Sequence, residues 1–275
     1  MSAAANGRIV FSILGYGVGT ALTLSMADRF TVRAAVAPLL GEARIAVPLV
    51  SQLLFGDVVF LVDGRGDWLQ VRGADDYTGW MHVGYLMPFV GTENTWRWSM
   101  GCVVRDAAGT VRSLPLGARL APGMDRMDGA AIAADARAAH FPRQPSAIAQ
   151  SAEVLFAGAS YQWGGVTPWG VDCSGLVQRV FGLHGVPLPR DAWQQAEQLT
   201  LVEEDAAARH SPADLLFFSD RDDRRVTHVG VSLGDGRMVH SALSRGGVTV
   251  ETMNAADPYL TKLRAQCVGV RRVTW

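Results

Sequence analysis

Hydrophobic positions in this chain change their spacing near residue 146. Upstream, between Arg29 and Pro88, apolar residues come in short runs or alternate with polar ones, at 32–36, 49–53, 58–62, 68–71 and 79–83. Clusters such as Asp63-Gly64-Arg65-Gly66-Asp67 and Gly73-Ala74-Asp75-Asp76 separate them, the pattern of short strands joined by tight turns. Such a series predicts a small β-barrel. A weaker set of strand and turn signals follows at 102–105, 111–113, 117–120 and 127–129, and predicts a second, more degenerate copy. Beyond the Phe141-Pro142-Arg143-Gln144-Pro145 stretch, which reads as a linker, the spacing turns helical. Ile148, Ala152, Leu155 and Phe156 form one apolar stripe, and Leu176, Val177, Val180 and Phe181 another. The second helix is expected to stop at Gly185-Val186-Pro187. Strand-like runs return at 215–218, 227–233, 237–240, 248–251 and 268–273. Helix first and antiparallel strands afterwards predict an α+β domain. The expected organisation is a tail at 1–28, all-β domains at 29–90 and 91–142, and an α+β domain at 146–275.

The tail leaves the compartment open. Residues 9–27 are apolar after a lone Arg8, and Ser25-Met26-Ala27 has the small-x-small form of a cleavage site, so a signal peptide would send the protein to the cell envelope. Gly15, Gly17 and Gly19 interrupt the run, and Met26 offers a second start that would leave the protein in the cytoplasm. The uninterrupted apolar stretch falls short of the roughly 20 residues of a spanning helix, so stable membrane insertion is not expected. Apolar residues at 49% and charged ones at 19% suit a globular chain and exclude disorder. A net charge of −1 argues against nucleic acid or an anionic membrane as partner. Three cysteines, Cys102, Cys173 and Cys267, make no disulfide framework; Cys102 and Cys267 read as buried strand residues.

Cys173 differs in its flanks. It sits in Val171-Asp172-Cys173-Ser174-Gly175, just after the loop Tyr161-Gln162-Trp163-Gly164-Gly165 and at the start of the second helical stripe. A thiol there meets unpaired backbone N–H groups and the positive end of the helix dipole, and both favour the nucleophilic thiolate. Asp172 is placed to cap the helix and Gly175 to allow close backbone approach. A cysteine nucleophile also needs a base and a group that orients it. The segments 226–233 and 237–240 flank Gly234-Asp235-Gly236 as a hairpin. A three-residue loop sets Leu233 opposite Arg237 and puts His228 and His240 on one face as diagonal neighbours; a two-residue loop puts them on opposite faces. The roles this suggests are His228 as base and His240 as its orienter. A zinc site made from the same three residues lacks a compact ligand motif. His82, His140, His184 and His210 read as bystanders.

These residues resemble the NlpC-type family of papain-like bacterial cysteine peptidases. The matching pieces are Tyr161-x-Trp163-Gly164-Gly165, Gly170 to Leu176, Leu188-Pro189-Arg190-Asp191, Asp214 to Phe218, His228-Val229-Gly230-Val231 and Met238-Val239-His240-Ser241. Upstream, Leu54 to Val58, Gly66 to Val71 and Tyr77 to Trp80 resemble a bacterial SH3-like domain. The resemblance implies two SH3-like barrels followed by a papain-like α+β domain. It implies a Cys173–His228–His240 triad, with Tyr161 helping to hold the oxyanion, acting on the amide between γ-D-glutamate and a diamino acid in murein peptides. In the subgroup with SH3-like domains, acidic and hydroxyl groups bind a free N-terminal amine and the product is L-Ala-γ-D-Glu. Here the candidates are Asp172, Ser174 and Asp191, with Asp57 and Tyr77 from the first SH3-like domain. No metal or cofactor is implied. Ala192 stands where the family usually has serine, and Ala213 where it usually has glycine. A related amidase or acyltransferase, and a non-catalytic wall-binding protein, are the alternatives.

Overall fold

The computed structural model describes residues 8–12, 21–25, 29–89 and 96–274. They fall into two compact units, 1–134 and 135–275. In the first, β1 (Arg8–Ser12) pairs antiparallel with β2 (Ala21–Ser25). The rest of the tail, on which the leader reading depends, lies outside the described residues. Then come β3 (Arg29–Val32), β4 (Val36–Leu40), β5 (Leu49–Leu54), β6 (Val58–Arg65), β7 (Trp68–Arg72), β8 (Thr78–His82) and β9 (Leu86–Pro88). They form one sheet in the order β5-β4-β8-β7-β6-β3-β9 around Phe30, Val32, Leu39, Leu69, Val71 and Met81. The run expected as one strand at 32–36 is instead broken: Val32 ends β3, Val36 opens β4, and 33–35 form the turn between them. Its backbone groups are satisfied from elsewhere, Arg33 N–H by the Tyr85 carbonyl and the Ala35 carbonyl by Phe55 N–H, so no strand ladder is needed there.

A second sheet is centred on β10 (Arg97–Arg105), which pairs with β11 (Val111–Leu114), β12 (Arg119–Leu120) and β13 (Asp125–Ala133). The Arg119 N–H donates to the Phe55 carbonyl, joining the two sheets. The first unit is thus a strand-rich, SH3-like region.

The second unit opens with α1 (Arg137–His140) and α2 (Pro145–Val154), then the short β14 (Val166–Thr167) and β15 (Gly170–Val171), α3 (Cys173–Leu183) and α4 (Ala192–Gln198). Its sheet holds β16 (Thr200–Glu203), β17 (Leu215–Phe218), β18 (His228–Gly234), β19 (Arg237–Ala242), β20 (Gly247–Thr252) and, after α5 (Pro258–Ala265), β21 (Cys267–Arg272). The strand order is β16-β21-β17-β18-β19-β20, antiparallel throughout. Helices α2 and α3 pack on β18. A second core, with Leu216, Phe218, Met238, Leu260 and Leu263, includes residues of α5. Helix α3 ends as expected: Val186 N–H reaches the Phe181 carbonyl and Gly185 N–H the Gly182 carbonyl, a Schellman closure. The 141–145 stretch is held on this unit, the Pro142 carbonyl by His184 at 2.6 Å. Helices α4 and α5 lie where only strands were expected. Asp257 caps α5 by accepting from Leu260 N–H, with Pro258 in its first turn, an Asp-Pro start that the sequence displays.

The β18–β19 hairpin resolves the loop-length question in an unforeseen way. Gly234 pairs with Arg237, so the loop is the two residues Asp235 and Gly236, with φ of 52° and 72°, not three. A register shift between Ser232 and Gly234 then restores the pairing of Val231 with Val239. One bulged residue thus cancels the parity change that a two-residue loop imposes, and the histidines keep a common face.

Ala213 has φ of 65°, the left-handed region that costs an L-residue about 1–2 kcal/mol. Its N–H is held by the Ser232 carbonyl, which keeps the turn in place. Ala213→Gly relieves that strain but adds freedom to the unfolded chain. A net gain of about 0.5–1 kcal/mol is expected in urea unfolding, and a loss would show the strain to be absent.

Candidate active site

Cys173 is the first residue of α3, after Asp172 as N-cap. The Asp172 side chain accepts from Gly175 N–H at 2.7 Å and from Gly164 N–H at 2.8 Å, so one carboxylate both caps the helix and fastens the loop that precedes it. Gly175 is required by sterics: a Cβ there would stand 2.2 Å from the Gly165 carbonyl oxygen. Ser241 of β19 ties the same loop to the sheet, donating to the Val171 carbonyl at 2.7 Å. The Tyr161 N–H is held by the Gly246 carbonyl.

His228 opens β18 opposite Phe218. Its Nε2 lies 2.7 Å from Nδ1 of His240, which is fully buried. The structure therefore joins the two histidines directly. With Nε2 committed to His240, the nitrogen His228 has left for proton transfer is Nδ1. The thiol adjoins the same strand end, because the N–H groups of Val229 and Ser174 both act on Cys173.

The electrostatics depart from the sequence expectation. Burial, and then the Asp172 carboxylate, push the Cys173 thiol up to about 12, against the opposing pull of the Val229 N–H, Arg190 and the Ser174 N–H. Helix-start stabilisation is present but desolvation outweighs it. Burial and then the neighbouring His240 bring His228 down to about 3. At rest the pair is a neutral thiol and a neutral imidazole. Tyr161 is pushed up to about 12 by burial and then by Cys173 and Asp172, so its hydroxyl remains a donor.

Arg190, for which the sequence reading gave no role, is central. It is 2% exposed and grips Asp172 with Nη1 at 3.1 Å and Nη2 at 2.6 Å, while Nη1 also donates to Ser174 Oγ at 2.9 Å. Gln195 of α4 donates to the Ser174 carbonyl at 3.1 Å. The candidate binding residues Asp172 and Ser174 are thus brought together and braced beside the thiol. Asp191 is the N-cap of α4, in a capping box with Gln194, and Ala192, buried, follows it with no hydroxyl. Asp57 and Tyr77 belong to the first unit. Asp57 accepts from Leu54 N–H at 2.8 Å and lies 3.8 Å from Arg119, and Tyr77 packs against the core of the first sheet. Among the described residues no group of three or more His, Cys, Asp or Glu is arranged to hold a metal ion, and no helix is long and apolar enough to cross a membrane.

Fold and site define a class: an α+β domain with a thiol at a helix start and paired imidazoles on the adjoining hairpin. Residues 158–266 match the NlpC/P60 family, and residues 39–86 match the bacterial dipeptidyl-peptidase Sh3 domain. The chain thus carries an NlpC/P60 peptidase domain behind a bacterial SH3 domain. It is 26% identical over 245 residues to a gamma-D-glutamyl-L-lysine dipeptidyl-peptidase of Bacillus subtilis, covering 81% of this chain and 80% of the relative. A Bacillus cereus protein of the same name is 25% identical over 244 residues, covering 75% and 71%. A crystal structure of an NlpC/P60 family protein from Bacillus cereus superposes with a TM-score of 0.73 at 19% identity, covering 89% of this chain and 99% of that one.

Proposed function

We propose that the protein is a cysteine peptidase that hydrolyses the amide between γ-D-glutamate and a diamino acid in murein peptides, releasing L-Ala-γ-D-Glu. The 2.7 Å contact between His228 and His240, beside a thiol at the start of α3, carries this reading. Cys173 Sγ attacks the γ-carbonyl carbon while its proton passes to His228 Nδ1. The oxyanion is met by the Tyr161 hydroxyl and by the Cys173 N–H, which at the first helical position has no acceptor within the helix. His228 gives the proton to the leaving amine of the diamino acid, the C–N bond breaks and a thioester remains. Water, deprotonated by His228, then hydrolyses it.

The amine of the substrate's L-alanine is assigned to Asp172, Ser174 and Asp191. The two relatives named for γ-D-glutamyl-L-lysine support lysine as the diamino acid to test. Ala192 withholds one hydroxyl from this pocket, so selectivity for a free amine should be graded. Wild type and Cys173→Ala are incubated with L-Ala-γ-D-Glu-L-Lys, free and N-acetylated, and products are followed by mass spectrometry. Free peptide should be cleaved about 10- to 100-fold faster, the value of a hydrogen bond or two to a charged amine. Equal rates would remove the amine assignment, and absence of Cys173-dependent cleavage of either peptide would remove the enzyme.

A further inference from the structure

Behind His240 stands a second buried ionisable group. His240 Nε2 has no hydrogen-bond partner and faces Glu251 Oε1 at 3.8 Å. Glu251 lies on β20, opposite Met238, and is 8% exposed. Arg245, in the 3₁₀ turn Leu243–Arg245, holds Glu251 Oε1 at 2.7 Å and reaches Asp257 at 3.2 Å. Its guanidinium lies over the Tyr259 ring at 4.3 Å, and that ring is 6.2 Å from the imidazole of His240. The ionisable groups around His240 are therefore His228 from β18, Glu251 from β20 and Tyr259 from α5, with Arg245 and Asp257 bearing on it through Glu251. Contact with His240, and Arg245 beside it, hold the Glu251 carboxyl below the usual carboxylate range, so it is an anion at neutral pH.

Hydrogen-bond arithmetic gives that anion a consequence. A neutral imidazole has one N–H and one bare nitrogen. For His228 to take the Cys173 proton on Nδ1, its own proton must sit on Nε2 and be donated to His240 Nδ1. His240 then carries its proton on Nε2, directed at Glu251. The opposite arrangement sets a bare Nε2 lone pair against a carboxylate and places the His228 proton on Nδ1, where it blocks the base. We infer that Glu251 is a positioning residue that selects the working tautomers of both histidines and stabilises the positive charge they share once Cys173 has lost its proton. The inference rests on the peptidase reading of Cys173 and His228. It extends to a fourth side chain the ordering role that a buried carboxylate plays behind a catalytic imidazole.

Glu251→Gln keeps the shape and removes the charge. Its kcat on L-Ala-γ-D-Glu-L-Lys should fall about 10- to 100-fold with KM within about twofold. The acid limb of kcat should move to lower pH, because the imidazole pair becomes less basic without the anion. Glu251→Asp, which keeps the charge, should recover most of kcat. In substrate-free protein, ring ¹⁵N shifts should report His240 protonated on Nε2 in wild type and a mixture of tautomers in Glu251→Gln. A kcat within twofold of wild type, or a kcat and melting temperature that fall together while the ¹⁵N pattern stays as in wild type, would overturn the inference. If wild type leaves the peptide uncut, the peptidase reading fails, and the ¹⁵N comparison still decides for or against Glu251.

Discussion

An Arg190→Met variant is expected to lose about 3–5 kcal/mol of unfolding free energy and nearly all activity. The guanidinium is among the largest fully buried side chains, and its partner Asp172 is 7% exposed. Removing one member of such a pair strands the other charge in a poorly polarisable interior, a cost that takes a large share of the about 5–15 kcal/mol that holds an ordinary domain together. Gly164 and Gly175 would still donate to Asp172, but two backbone dipoles do not replace a bidentate cation. Catalysis suffers by a separate route. Arg190 draws the Cys173 thiol down and Asp172 drives it up, so without the cation the thiol is still harder to ionise. Adding Asp172→Asn removes the stranded charge and keeps an N-cap, since asparagine caps as well as aspartate. The double variant should therefore regain much of the stability, with a coupling of up to about 3 kcal/mol. Urea unfolding of the four proteins decides the matter. A single-variant loss below about 1 kcal/mol would show that Arg190 is not a brace.

The site was legible where local signals carry it. The stop of α3, the cap at Asp172 and the close approach at Gly175 depend on a few neighbouring residues whose chemistry is visible in the chain. The common face of the histidines was reached through a loop of the wrong length, because a bulge at one residue leaves no mark on hydrophobic alternation. Arg190 and Glu251 were missed for a different reason. Each acts on a residue more than ten positions away in the chain, Arg190 on Asp172 and Glu251 on His240, and a charged residue in sequence looks like surface until its burial is known. The turn at 33–35 reads as part of a strand because Val32, Ala34, Ala35 and Val36 are apolar, although its hydrogen bonds go to Tyr85 and Phe55. The thiol's ionisation was misjudged in sign for the same reason: helix-start chemistry is local, desolvation is not.

That sign sets the largest kinetic expectation, for His228→Ala. With the thiol pushed up to about 12, very little of it is thiolate at pH 7. Attack then depends on a base taking the proton as the bond forms, and loss of that base should lower kcat/KM toward the upper end of the about 10²–10⁴-fold range for general-base catalysis. The pH profiles of the two proteins should diverge. In wild type, His228 is held down to about 3, so the imidazole stays unprotonated and able to accept a proton well below pH 6.5. Its activity should be nearly flat from pH 6 to 9. In His228→Ala, attack must wait for direct ionisation of Cys173. Because the thiol is raised rather than lowered, thiolate grows only as pH rises, about tenfold per unit up to its pKa, and residual activity should climb with that slope between pH 7 and 9. Added imidazole should restore part of the neutral-pH rate by occupying the space the ring has left. A pH-independent residual rate would mean that the thiolate is already formed at rest, and that the helix start at Cys173 outweighs its burial after all.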